Sequence, residues 1–385
     1  MKRILKYIFL IFIVSLSIIF FVNKVSPKFI ENKTSYEIRE NISNKERVIF
    51  LPFLNFDGRN YFDLADRGYF HIDNWWKKAF YPMYPVLIKI VTNVTGIKLI
   101  YSGLIISWIS ILLGFFYLYK LVKLDYGENI ALKTLILIAA FPTSFYFYTY
   151  YTESLFFLLS VLCFYNIRLK NYYIASIIAA FASATRVVGI FFACYLFYIA
   201  IRNRFYSSGG DSSPRQNEAK NGGWGYVLIA PLGLIFFMAY FYLNNDSPFA
   251  MFSGQLYWNK EYNFFGPIKI FYLWMLKILF DFKTLTAQSY LIVFLEFISY
   301  LFSIVFLFFS YKKIKFDYWL YSLVLIVFPL LTTSLASYPR YLLVIFPIQI
   351  YIARLSNNYF KIVLFVYLIL LLILETLFIR GYWVA

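Results

Sequence analysis

Apolar runs separated by short polar, mostly basic stretches set the pattern of this chain. The runs at 4–22, 99–121, 130–148, 155–167, 226–243, 290–310, 318–333, 342–353 and 362–378 approach or reach bilayer-crossing length. The run at 82–95 is shorter and interrupted by Lys89, which predicts an interfacial or re-entrant helix. Residues 172–201 are too many for one span and have basic residues at both ends, so they predict two helices meeting near 183–186. A further amphipathic or embedded helix is expected at 267–282. The predicted fold class is all-α, a polytopic bundle of about ten to twelve membrane segments forming one domain over residues 1–385.

The polar stretches orient these runs. Lys120, Lys123, Arg168, Lys170, Lys312, Lys313, Lys315 and Arg354 fall at alternate ends, where the positive-inside bias places cytoplasmic charge. The first run follows Lys2 and Arg3, and no small-residue cleavage site comes after it. It therefore predicts an uncleaved helix with a cytoplasmic N-terminus. Residues 23–98 become a first external segment with interfacial helices, and 244–283 a second. Residues 202–225, rich in Gly, Ser and basic side chains, read as a flexible cytoplasmic linker.

Composition narrows the class. The 385 residues are 62% hydrophobic and 24% aromatic, and the mean hydropathy of +0.67 excludes an ordinary soluble domain. A net charge of +17 would suit a nucleic-acid partner. Here the basic residues lie between apolar runs, and the membrane accounts for them. Cys163 and Cys194 both sit inside apolar runs, as packing residues, and His71 is the single imidazole, so a multi-histidine metal site is excluded.

Candidate chemistry concentrates at 55–85, the densest polar stretch beside a membrane-length run. Asp57, Asp63, Asp66 and Asp73 alternate there with Arg59, Arg67, Lys77 and Lys78, among Trp75, Trp76, Phe80, Tyr81 and Tyr84. Two further clusters are predicted at the same outer level: Tyr150 to Glu153, and Arg186 with Tyr338 and Arg340. Ionisable groups at membrane depth are costly and point to function. Transfer of a sugar from a lipid phosphate needs one carboxylate as general base and cations for the phosphate, which arginine suits by its planar fork. Each residue also has an ordinary explanation: Asp57 as a helix cap, Glu153 at a helix N-terminus, Arg186 in a structural ion pair and Arg340 as an interfacial anchor. No DxD motif or glycine-rich nucleotide loop is present. External carboxylates such as Asp63 and Asp66 leave a divalent metal open.

FDGRNYFDLADRGY (56–69) followed by AFYPMYP (79–85) resembles the signature of PIG-V-type mannosyltransferases. FPTSFYFYTYYTESLFFLLS (141–160), ATRVVG (184–189), Gln255 to Trp258 and SYPRYLLVIFP (337–347) are similar to later family elements, in the family's order. The resemblance spans most of the chain and implies a GT-C fold and an inverting transfer from a polyprenyl- or dolichyl-phosphate sugar, usually mannose. Asp57 takes the position of the catalytic aspartate. Arg186 and Arg340 match family arginines, and the physical inference assigns them to the donor phosphate. Arg59, Tyr61, Tyr69, Tyr84, Tyr151, Glu153, Gln255, Trp258 and Tyr338 are the expected substrate-binding residues. Phe56 stands where Trp is common, and Arg59 directly follows the glycine. These departures bear on the acceptor, a lipid, glycan or protein. The implied setting is the plasma membrane of a prokaryote, with the site facing outside and no protein-bound cofactor or metal assigned. A transporter or flippase of lipid-linked glycans, or a polymerase of them, is the alternative; the repeated halves that a transporter predicts are not seen.

Overall fold

Small side chains on one face of the longest helix decide how the bundle packs. The computed structural model describes residues 2–33, 38, 40–70, 75–207, 224–258, 260–280 and 286–384. His71 and Asp73, residues 208–223 of the expected linker, and residues 259 and 281–283 of the second expected external segment lie outside the described residues. In chain order the helices are α1 (Lys2–Val25), α2 (Asn44–Phe50), α3 (Asp57–Arg67), α4 (Met83–Thr95), α5 (Leu99–Tyr126), α6 (Glu128–Ala139), α7 (Glu153–Arg168), α8 (Tyr172–Thr185) and α9 (Ile190–Ser207). They continue as α10 (Gly225–Ile229), α11 (Leu232–Leu243), α12 (Ala250–Gly254), α13 (Gly266–Phe280), α14 (Ala287–Ser310), α15 (Phe316–Leu330), α16 (Tyr338–Leu342), α17 (Pro347–Ala353) and α18 (Asn357–Ile379). A single bridge, Tyr262 to Thr332, is the one β feature among the described residues.

Gly103, Ser107, Ser110 and Gly114 fall on one side of α5, the arrangement that lets membrane helices approach closely. A methyl group on Gly103 would lie 2.1 Å from the Tyr150 ring, and one on Gly114 would lie 2.9 Å from Phe157. Helix α7 and the loop before it are thus seated directly on α5. Among the described residues, five helical segments are long and apolar enough to cross a membrane: Ile4–Lys28, Leu99–Tyr126, Val187–Arg204, Gln288–Ser310 and Asn357–Ile379. Met83–Thr95, Tyr172–Thr185, Leu232–Leu243 and Phe316–Leu330 are shorter apolar helices. The chain is an α-helical membrane protein.

Several expected spans are broken, each beside a proline. α6 stops at Ala139, and Pro142 lies in the turn before a short 3-10 stretch, Ser144–Tyr148, so 130–148 is not one helix. Pro231 separates α10 from α11, and Pro347 opens α17 after the short α16. Proline lacks the N–H that would continue a helix and restricts the residue before it, but costs little in the first turn of a new one. The expected meeting of two helices near 183–186 is as observed, α8 ending at Thr185. Cys163 is buried, whereas Cys194 is exposed on its helix, so the packing role expected for it does not hold.

The two ends of the bundle carry different charge arrangements. At one end Arg168 reaches Asp125 at 3.0 Å and Asp317 at 2.6 Å, while Lys315 and the Tyr318 hydroxyl also contact Asp125, both at 2.6 Å. This ties together the ends of α5, α7 and α15. At the other end the segment before α3 folds over the bundle: Ser43 and Glu46 form a reciprocal cap on α2. The Tyr101 hydroxyl donates to Glu46, and this bond, with the Ser43 amide, holds the carboxyl down at about 2.

Candidate functional site

Asp57 sits at the first position of α3 because three separate elements grip the turn before it. The Asn55 side chain donates to the Phe378 carbonyl at the end of α18, 2.7 Å. The Tyr151 hydroxyl donates to the Asn55 carbonyl at 2.7 Å and accepts from the Asp57 amide at 3.2 Å. Phe56 between them has φ 58° and ψ −114°, a conformation that a bulky L-residue pays for with roughly 1–3 kcal/mol. Its ring is held by Trp383 at 5.0 Å and Phe378 at 6.0 Å. Gly58 follows where a methyl would be 3.3 Å from both the Phe53 and Tyr150 carbonyls, so only a glycine fits easily. Strain held in place by packing is characteristic of sites where side-chain direction matters.

Four ionisable side chains meet here. Arg340 donates to Asp57 Oδ2 at 2.8 Å, and its Nε lies 3.3 Å from Glu153 Oε1. Arg186 reaches the same Glu153 oxygen at 3.1 Å. Glu153, 1% exposed at the start of α7, therefore joins two arginines whose sequence positions differ widely. The Arg340 guanidinium also lies over the rings of Tyr151 at 5.3 Å and Tyr146 at 5.4 Å. Asp57 Oδ1 has no protein hydrogen bond among the described residues.

The turn that aims Arg186 depends on Gly189. Arg186 is extended (φ −153°, ψ 144°), and its carbonyl accepts from the Gly189 amide at 2.9 Å as the chain reverses into α9. A methyl on Gly189 would stand 2.3 Å from the Ala182 carbonyl oxygen, a main-chain atom that cannot simply rotate away. Gly189→Ala is expected to destabilise the protein by about 1–3 kcal/mol, read as a lower thermal midpoint in detergent. An unchanged midpoint would mean that the turn absorbs the methyl.

A cavity of about 190 Å³ opens beside these groups. Asp57, Tyr61, Arg186, Gln255, Trp258, Lys260, Arg340 and Tyr341 line its polar side, and Val187, Val188, Leu325, Phe328 and Val344 give it an apolar wall. No family model, curated protein or solved structure matches this chain. The site is therefore read from its own chemistry.

Of the residues singled out in the sequence, Asp57, Tyr61, Arg186, Gln255, Trp258 and Arg340 line this one cavity. Glu153 stands directly behind it through its arginines, and Tyr151 holds the Asp57 turn. Trp258 is fixed by edge contacts to Trp76 at 5.5 Å and Phe80 at 5.8 Å. Other expected residues do not reach the cavity. Arg59 is exposed on α3. Tyr69 gives its hydroxyl to the Phe80 carbonyl at 2.6 Å, Tyr84 to the Gly103 carbonyl at 2.9 Å, and Tyr338 shares a hydrogen bond with Ser303 at 2.7 Å. These buried tyrosines satisfy main-chain or serine partners and hold elements together. Asp63 pairs with Lys77 at 2.7 Å and Asp66 lies 3.7 Å from Arg67, so neither carboxylate joins Asp57. Sequence reasoning passed over Lys260, Tyr341 and Trp383, which also line the cavity.

Proposed function

We propose that the cavity is the active site of a membrane glycosyltransferase of the GT-C type, using a polyprenyl-phosphate sugar, mannose by resemblance. The observation that carries this reading is convergence. Motif residues from near 57, 186, 255–258 and 340 line one cavity, and Glu153 from a fifth segment joins two of them. The apolar wall suits a lipid-linked substrate, and the polar side supplies one carboxylate next to cations. In the reaction the acceptor oxygen forms a bond to the anomeric carbon from the face opposite the phosphate. The bond from that carbon to the phosphate oxygen breaks, and its electron pair leaves with the lipid phosphate. The acceptor's proton passes to Asp57 as general base, and the cations stabilise the departing anion.

The cavity end is read as extracytoplasmic. Lys123, Arg168, Lys315 and Arg354 gather at the opposite end, where Arg354 lies 4.9 Å from the Tyr126 ring, in keeping with the positive-inside bias. The Asp125, Arg168 and Asp317 ion pairs tie helices together at that opposite end, which favours an enzyme with a one-sided site over a transporter. The testing experiment is transfer of radiolabelled mannose from polyprenyl-phosphate mannose in membranes containing the protein, against membranes without it. Label entering lipid, glycan or protein with the chain present is expected. Equal incorporation in both sinks the mannosyltransferase reading.

A further inference from the structure

Lys260 is the cavity cation that no sequence motif indicates. Its position is set by the segment that follows it. Tyr262 bridges to Thr332, the Asn263 amide donates to the Leu331 carbonyl at 2.6 Å, and the Thr333 amide donates to the Glu261 carbonyl at 3.1 Å. These bonds fasten 261–263 across the end of α15. The Lys260 ammonium then reaches into the cavity, donating to the Tyr341 hydroxyl at 2.8 Å and the Ala336 carbonyl at 3.4 Å. Tyr341 is a crowded ring: Lys260 lies 5.2 Å from its centre, Arg186 5.5 Å and Arg340 5.8 Å. Burial pushes its phenol up, but Lys260 and Arg340 outweigh this and hold it below the ordinary tyrosine value.

The two arginines are occupied. Arg340 serves Asp57 and Glu153, and Arg186 serves Glu153. Lys260 faces a phenol and a carbonyl, and makes no ion pair among the described residues. Glu296, a buried carboxylate on α14, accepts from the Trp274 indole at 3.2 Å and feels the Lys260 charge from beyond ion-pairing distance, but it does not line the cavity. Three cations therefore stand against the two carboxylates of this site, and the unit in excess is the lysine. A half-buried ammonium without a counter-ion is costly and becomes favourable when a ligand brings one negative charge.

We propose that Lys260, seated on Tyr341, anchors the single charge of a phosphodiester, while Arg186 and Arg340 hold Glu153 and Asp57 in position. That the phosphodiester is a sugar donor rests on the glycosyltransferase reading; the anion site itself does not. The assignment moves the phosphate from the two arginines onto a residue 80 positions before Arg340. Tyr341 serves as the platform that fixes the ammonium.

The test uses full-length protein in detergent and a short-chain prenyl-phosphate mannose as probe. Binding is followed by the fluorescence of Trp258 and Trp383, which line the cavity, and transfer is measured in parallel. Lys260→Met is expected to weaken probe binding about tenfold or more, to raise the donor KM by a similar factor and lower kcat with it, and to leave the thermal midpoint near wild type. Lys260→Arg should restore most of the affinity. Wild-type affinity in Lys260→Met, or no binding by the wild type, overturns the anchor. Lysine-dependent binding without any sugar transfer would instead sink the glycosyltransferase reading and leave the anchor standing.

Discussion

Asp57→Asn is expected to lower sugar transfer by about 10²–10⁴-fold, the range that a positioned general base contributes. The loss should fall on kcat, with donor KM little changed. Asparagine keeps the shape of the carboxylate and can still accept a hydrogen bond from Arg340, which lies 2.8 Å from Oδ2. It cannot take a proton from the acceptor hydroxyl. Folding should be affected less than activity, because Arg340 retains its contact with Glu153. The measurement is transfer of labelled mannose by membranes matched for protein content, with the thermal midpoint of the purified variant beside it. Activity within a few-fold of wild type would remove Asp57 from the role of base. A collapse of the midpoint together with activity would make its role structural.

Arg340→Ala reverses that balance. Asp57 loses its ion-pair partner and Glu153, buried at the head of α7, loses one of two. Removing one member of a buried charge network costs about 3–5 kcal/mol, because the partners stay buried without compensation. A marked fall in thermal midpoint is expected along with loss of transfer. Arg340→Lys keeps the charge but gives up the fork that reaches two carboxylates at once, so it should recover only part of either property. The pairing of Arg340 with Asp57 can be isolated by a double-mutant cycle. The double variant Asp57→Asn/Arg340→Ala should be less destabilised than the two single changes summed. Additive losses would mean that the two residues do not act on each other.

Much of this was legible in the sequence, for identifiable reasons. Asp57, Arg186 and Arg340 stand out because ionised groups next to membrane-length runs are rare and costly. Gly189 and the prolines beside them fix chain reversals that only a few residue types allow. The tyrosines were harder. In a chain with 37 of them, nothing in the spelling tells whether a hydroxyl meets a cavity, as with Tyr61, or a carbonyl across the bundle, as with Tyr84. Lys260 lies in the ordinary polar stretch Asn259 to Asn263, and its importance comes from contacts made with residues near 332 and 341. Hydropathy also averaged across Pro142, Pro231 and Pro347, so spans that looked continuous are split where the backbone runs out of donors.

The grip of residues 378–383 on the Asn55–Asp57 turn has a consequence for how the protein is made. Asn55 needs the Phe378 carbonyl, and Phe56 needs the rings of Phe378 and Trp383. Both residues are synthesised more than three hundred residues after the turn that they hold. A nascent chain halted before this segment already has Asp57, Arg186 and Arg340, yet lacks the clamp that directs the carboxylate. On the glycosyltransferase reading, transfer therefore awaits residues 378–383, and a chain halted before them is expected not to act on the lipids around it.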